Sequence, residues 1–324
     1  MMGTVGKRGF SGDLFKWIFA TVAGAFVFMF FYRFAFQHIG ISDTLQSREL
    51  FDYLDDHLTA LGISDHSSSV IELPDEQSLF FQCGSIGVSG YSRDVYKILF
   101  APGQAEANRF MVWAEGWEFP FPISDFFYLT TKNMRVLIVY DDESVSFIQH
   151  LDVPQGVNVQ MVHKKNLNLQ ELNQQSSALD RLTLVYLMPL HDIKAITSAL
   201  KNVDVHLLEV DLKKQTLEYH NGHLTTFYLG DAMLYGAWFA PDQYACLQKK
   251  ALERLWQVAD LMKERALLLR TKTDDAFCGD LLFEASKVLQ SMLYVEDGEA
   301  LRHAMETLED QNNLLEKRDC LLVY

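Results

Sequence analysis

The chain has 324 residues, 49% of them apolar and 22% charged. That is enough for one large or two ordinary domains with a sizeable core, and it excludes global disorder. Formal net charge is −15; Lys7, Arg8, Lys16 and Arg33 against Asp13 make the first 38 residues +3, leaving −18 on the remainder. A body this acidic excludes a nucleic-acid surface, which needs clustered Lys and Arg, and argues against lying flat on anionic lipid.

The first element in chain order is an uncharged run from Trp17 to Tyr32, preceded by Lys16 and followed by Arg33 and Phe34-Ala-Phe36. Roughly 17–25 mainly apolar residues span a bilayer, and flanking Lys and Arg can reach back to the interface. The pattern predicts a transmembrane helix over 14–36, with Trp17 and Tyr32 as interfacial aromatics. A cleaved signal peptide is the competing reading, but no Ala-x-Ala-like site follows the run. A buried soluble helix fits a run this uniformly apolar less well. Basic residues precede the span, while Asp43, Glu49, Asp52, Asp55 and Asp56 follow it. The positive-inside rule therefore predicts a cytoplasmic N-terminus over 1–13 and a body outside the cytoplasm, with Arg33 as the dissenting residue. Lys7-Arg8-Gly9-Phe10 before an apolar helix resembles the processing site of archaeal type IV pilin-like precursors. That resemblance implies a cut after Gly9. The fifth residue after the cut is Leu14 rather than Glu, and Asp13 stands one place early.

Residues 39–130 read as an α+β segment. Ser42 and Asp43 can cap a helix running to Leu61, with Leu45, Leu50, Phe51, Leu54 and Leu58 at helical spacing. Strands are predicted over Val70–Leu73, Ser78–Gln82, Val95–Phe100 and Arg109–Ala114, punctuated by glycine and proline. The sheet is expected to be antiparallel, with an aromatic-rich end made by Trp113, Trp117, Phe119, Phe121, Phe126, Phe127 and Tyr128. These rings suit either core packing or an exposed contact surface or glycan platform.

Residues 131–240 change regime. Apolar runs at Arg135–Tyr140, Val157–Val162, Leu182–Leu187 and Val203–Val210 alternate with helical segments near Glu143–Leu151, Leu167–Ala178 and His191–Leu200. Such alternation predicts an α/β domain with a mainly parallel, three-layer sheet. Asn221-Gly222 between Thr216–His220 and His223–Leu229 predicts a hairpin. Residues 241–324 read as C-terminal helices packed on the α/β domain: Asp242–Arg270, Asp280–Tyr294 and Glu299–Lys317, then a small terminal strand at Cys320–Tyr324. The membrane segment, Trp117–Phe121, the step from Phe126-Phe-Tyr-Leu129 into a strand ending Val139-Tyr140, and the terminal Cys320-Leu-Leu-Val-Tyr324 are together similar to uncharacterised archaeal single-pass membrane-anchored proteins. The resemblance implies a surface-facing protein and transfers no catalytic residue.

Cys83, Cys246, Cys278 and Cys320 all follow the span, and an even number outside the cytoplasm favours disulfides over free thiols. Cys246 sits near the start of the long helix and Cys278 beyond its end, a separation of about 40 Å that is too far to bridge. The last two helices should form an antiparallel hairpin that returns Cys320 to Cys278. Cys83–Cys246 follows by elimination.

Chemistry-bearing motifs are few. Gly84-x-x-Gly87-x-x-Gly90 has the wrong spacing and context for a dinucleotide loop and reads as turns. Arg135–Tyr140 followed by Asp141-Asp142-Glu143 resembles the first strand and acidic pocket of a receiver domain. The strand matching that domain's third runs into Tyr186-Leu187-Met188-Pro189 without the acceptor Asp. Asp141 and Asp142 stand at the carboxyl end of a sheet strand, where α/β proteins hold ligands, and also suit a helix cap. His220 and His223 flank the hairpin turn and are candidate metal ligands lacking an identifiable third group. No nucleophile-elbow, zincin or Walker sequence occurs, and no cofactor is implied. The expectation is a non-enzymatic, membrane-anchored extracytoplasmic protein whose partners are the lipid bilayer and a membrane or surface protein, with no nucleic acid. The alternative is a hydrolase-like ectoenzyme with Asp141, Asp142 and His191 at the carboxyl edge of the parallel sheet.

Overall fold

In the computed structural model, residues 10–63, 66–88, 90–154, 156–190, 192–201 and 203–324 are described, with side chains of 10–15 and 34–46 outside that description. The chain divides after Tyr53 into two compact units. The first contains most of helix α1, Phe10–Leu61. Its stretch Lys16–Arg33 is long and apolar enough to cross a membrane, and none of it is buried. Two helices with a break near residues 37–41 were expected; the backbone is instead helical throughout. Gly40 is the only breaker there, and one glycine costs a helix only about 1 kcal/mol. Ser42 and Asp43 accordingly lie within α1 and mark no helix start.

The second unit, Leu54–Tyr324, begins with the last turns of α1, where Leu54, Leu58 and Leu61 are buried. Strands β1 (Ser68–Gln82), β2 (Ser85–Val88), β3 (Tyr91–Asp94), β4 (Ile98–Phe100), β5 (Gln104–Glu118) and β6 (Pro122–Thr131) form one sheet in the order β3-β2-β1-β5-β6-β4. All its pairings are antiparallel except β4 with β6. The two strands expected over 70–82 are one strand, interrupted where its register with β5 shifts between Glu72 and Gln77. Pro74 lies in that interval and has no N–H to donate to the ladder.

The second sheet contains β7 (Met134–Tyr140), β8 (Val159–His163), β9 (Arg181–Tyr186), β10 (Asp204–Asp211), β11 (Thr216–Tyr219) and β12 (Leu224–Phe227), ordered β12-β11-β10-β9-β7-β8. Helices α2 (Val145–His150), α3 (Leu169–Ser176) and α4 (Ile193–Ala199) make the crossovers. β8, β7, β9 and β10 are parallel, and the β11–β12 hairpin is antiparallel. The fold is therefore α/β with two mixed sheets. The expectation of a mainly parallel sheet is corrected, because parallel pairing stops at β10, where β11 turns back antiparallel after Asp211.

Helix α5, Gly230–Phe239, went unread in the sequence. It is buried from Ala232 to Phe239 and contacts β4, β5 and β6 of the first sheet and β9 of the second. A helix apolar on every side shows no amphipathic period, so only its burial explains it. The aromatic-rich end lies against it: Trp117 Nε1 donates to Leu229 O at 2.9 Å and the Tyr128 hydroxyl to Ala232 O at 2.6 Å. Trp113, Trp117, Phe119, Phe121, Phe126, Phe127 and Tyr128 are each no more than 4% exposed. They are core, and the platform reading is overturned.

Helices α6 (Tyr244–Arg270), α7 (Ala276–Met292) and α8 (Gly298–Glu316) pack in sequence, with α6 against β4, β6 and α5. Cys83 and Cys246 are disulfide-bonded with Cα atoms 5.8 Å apart, joining the β1–β2 turn to α6. Cys278 and Cys320 are bonded at 5.7 Å, joining α7 to the tail. These are the same two pairs that helix geometry favoured. The terminal strand is corrected: residues 320–324 pair with no strand, and Val323 N instead donates to Asn312 Oδ1 at 3.0 Å.

Candidate functional site at the carboxyl edge of the second sheet

In the order β8-β7-β9-β10 the chain steps from β7 to β8 on one side and then crosses back to β9 on the other, so strand order reverses beside β7. The carboxyl ends of β7 and β9 flank that switch point, the usual ligand crevice of open α/β sheets. β7 ends at Tyr140, so Asp141 and Asp142 are the first residues beyond it. β8 ends at His163, paired with Tyr140, which sets His163, Lys164 and Lys165 opposite the two aspartates.

Asp141 faces inward along the loop. Its Oδ1 accepts from the Glu143 and Ser144 amides at 3.1 and 3.3 Å and from the Ser144 hydroxyl at 2.9 Å, and so organises the turn into α2. Its Oδ2 meets Lys164 Nζ at 3.3 Å. Partial burial raises the Asp141 carboxyl's pKa, but the hydrogen bonds from Ser144 and Lys164 outweigh it and hold the group below its ordinary value. Asp142 is 75% exposed and meets Lys165 Nζ at 3.1 Å and His163 Nε2 at 3.2 Å. The Lys165 hydrogen bond, then that of His163, lowers its pKa. His163 Nδ1 accepts from Lys165 N at 3.2 Å, which assigns the proton of the neutral ring to Nε2, facing Asp142. Asp141 thus braces the turn before α2 and pairs with Lys164, and Asp142 is an ion-pair partner of Lys165 and His163. Among the described residues, Asp141 and Asp142 are each matched by a cationic neighbour. Sequence reading missed His163, Lys164 and Lys165; the parallel register of two adjacent strands was the signal that could have found them. His191 lies outside the described residues.

The hairpin assembles a different group from the one expected. His223 is exposed in the turn, at φ +50°. His220, with a side chain 7% exposed, faces Glu209 and Glu218 instead. The His220–His223 pair is therefore corrected: the two residues start and finish a four-residue turn, and only His220 turns onto the sheet. Glu209 and Glu218 escaped the sequence reading because they come together through the β10–β11 register, Glu209 opposite Glu218.

A cavity of about 550 Å³ lies elsewhere, lined by Lys97, Lys250 and Arg254 together with Asp125 and Glu253. Lys97 is ion-paired with Asp55, and Lys250 Nζ donates to Val95 O at 2.6 Å and Lys97 O at 3.4 Å. Burial pushes the Lys250 ammonium pKa down. Lys250 thus holds backbone and Lys97 an acidic partner. No protein family, curated protein or solved structure matches the chain.

Proposed function

We propose that the chain is a single-pass membrane-anchored protein whose second unit lies outside the cytoplasm and binds or assembles with a membrane or surface protein. The observation that carries this reading is the stretch Lys16–Arg33. Trp17, Phe19, Phe26, Phe28, Met29 and Phe30 are each at least 66% exposed, and the whole stretch has no protein core around it. Water does not tolerate an unbroken apolar surface of that length, whereas a bilayer solvates it. The basic residues before the span support a cytoplasmic N-terminus. Two disulfides support an oxidising location for the body. The paired charges of Asp141 and Asp142 among the described residues of the carboxyl edge favour the binding reading over the ectoenzyme reading. The ectoenzyme reading keeps one favourable observation, the switch point beside β7.

Chemical crosslinking in native membranes, followed by identification of the crosslinked species, tests the assignment. A reproducible membrane or surface protein joined through lysines of the second unit is the expected result. Recovery of uncrosslinked chain alone would count against it.

A further inference from the structure

We propose that Glu209, Glu218 and His220 form a binding site for one divalent transition-metal ion of the zinc class. Among the described residues, these three offer ligand atoms within 4.8 Å of one another. Glu209 on β10 stands directly opposite Glu218 on β11, and two carboxylates in that relation repel unless a cation lies between them. His220 lies two residues beyond Glu218 and so shares its face of the sheet.

The imidazole supplies the second, independent observation. Its side chain is 7% exposed, and Nε2 is buried with no hydrogen-bond partner. Nε2 lies 3.4 Å from Glu209 Oε2, and Nδ1 lies 3.6 Å from Glu218 Oε1. Both separations exceed a good N–H···O bond. The Nε2–Glu209 separation suits two ligands sharing an ion, since two tetrahedral donors, each about 2.0–2.1 Å from zinc, stand about 3.3–3.4 Å apart, and Glu218 offers its carboxylate within 4.8 Å of both. The Leu190 amide donates to Glu209 Oε2 at 2.9 Å, the kind of outer hydrogen bond that fixes a ligating carboxylate. His220 Nε2 and Glu209 form the buried side of the site. Glu218, 47% exposed, closes it from the solvent side, and water completes the coordination. One imidazole with two carboxylates is a donor set that zinc accepts. The ion neutralises the opposed glutamates and ties β10, β11 and the segment after β9 together. This inference does not depend on which side of a membrane the unit occupies.

The test is isothermal titration of the chelator-stripped full-length chain in detergent with zinc chloride. One ion per chain is expected, with affinity weakened about tenfold or more by His220→Ala and by Glu209→Gln. Glu218→Gln alters a half-exposed side chain and keeps the test valid if the buried variants fail to fold; it should weaken binding likewise. His66→Ala and His163→Ala remove imidazoles elsewhere and should leave the titration unchanged. Cobalt(II) loading should give a visible absorption band that Glu218→Gln alters. No zinc uptake at millimolar concentration, unchanged affinity in Glu218→Gln, or loss of binding in His163→Ala would each overturn the proposal.

Discussion

Gly236→Ala probes the contact on which the second unit's core depends, the insertion of α5 between the sheets. A methyl group at Gly236 would meet Phe100 Cε1, Cδ1 and Cζ at 2.5, 2.6 and 2.6 Å, about 1 Å inside ordinary carbon contact. The Phe100 ring is fully buried, stacked on Tyr128 at 5.7 Å between centroids and edge-on to Phe126 at 5.2 Å. It has no free volume to retreat into, so the substitution sits at the upper end of the overpacking range, about 3 kcal/mol. Helix propensity favours alanine by about 1 kcal/mol. The net expectation is destabilisation by about 2 kcal/mol, a fall in melting temperature of roughly 4 °C for a unit of this size. Gly279→Ala in α7 is the matched control, because its new methyl would find nothing closer than 3.8 Å and only propensity remains. It should stabilise. Thermal unfolding of both variants in detergent, followed by near-ultraviolet circular dichroism, reads the two signs. Stabilisation by Gly236→Ala comparable to Gly279→Ala would refute the packing described for α5.

Replacing Cys278 and Cys320 by serine opens a loop with a sequence separation of 42, and replacing Cys83 and Cys246 opens one of 163. Chain entropy predicts losses of about 4 and about 5 kcal/mol, so urea midpoints should fall in that order; identical midpoints with and without reductant would contradict it. Asp141 has a lowered carboxyl pKa in the folded state, so it stabilises above the unfolded value of about 3.9 and loses that contribution as pH falls through its folded value. Asp141→Asn should therefore lower stability at pH 7 and flatten the decline below about pH 4 in acid titrations followed by fluorescence. An unchanged acid profile would remove the assigned role. Asn221 pins the hairpin by accepting from Leu207 N at 2.8 Å and donating to Val205 O at 2.7 Å, so Asn221→Ala should cost about 1–3 kcal/mol in urea unfolding.

What could be read in the sequence was whatever has a local period or a fixed length. β7, β9 and β10 announce themselves as β-branched runs, and α6 keeps Leu247, Ala251, Leu255 and Ala266 on one buried face. The cysteine pairing was accessible because a 27-residue helix is a ruler. α5 was not legible, since uniform apolarity carries no phase. Nor was the charge network at the sheet edge: Asp142 and His163 meet through strand order, which alternation alone leaves open. Glu209, Glu218 and His220 fail for the same reason, being joined by antiparallel register and not by spacing along the chain. Ser42 and Asp43 show the opposite case: residue types that favour a helix start mark no boundary where the helical backbone runs on through them.

The most direct test of the membrane assignment labels intact cells with an amine-reactive reagent that does not cross membranes, then maps modified lysines by mass spectrometry. Lys213 and Lys214, whose side chains are 89% and 77% exposed in the second unit, should be labelled without permeabilisation. Lys7, before the span, should react only after the membrane is breached. Labelling of Lys7 with protection of Lys213 and Lys214, or recovery of the chain in the aqueous fraction without detergent, would contradict the account.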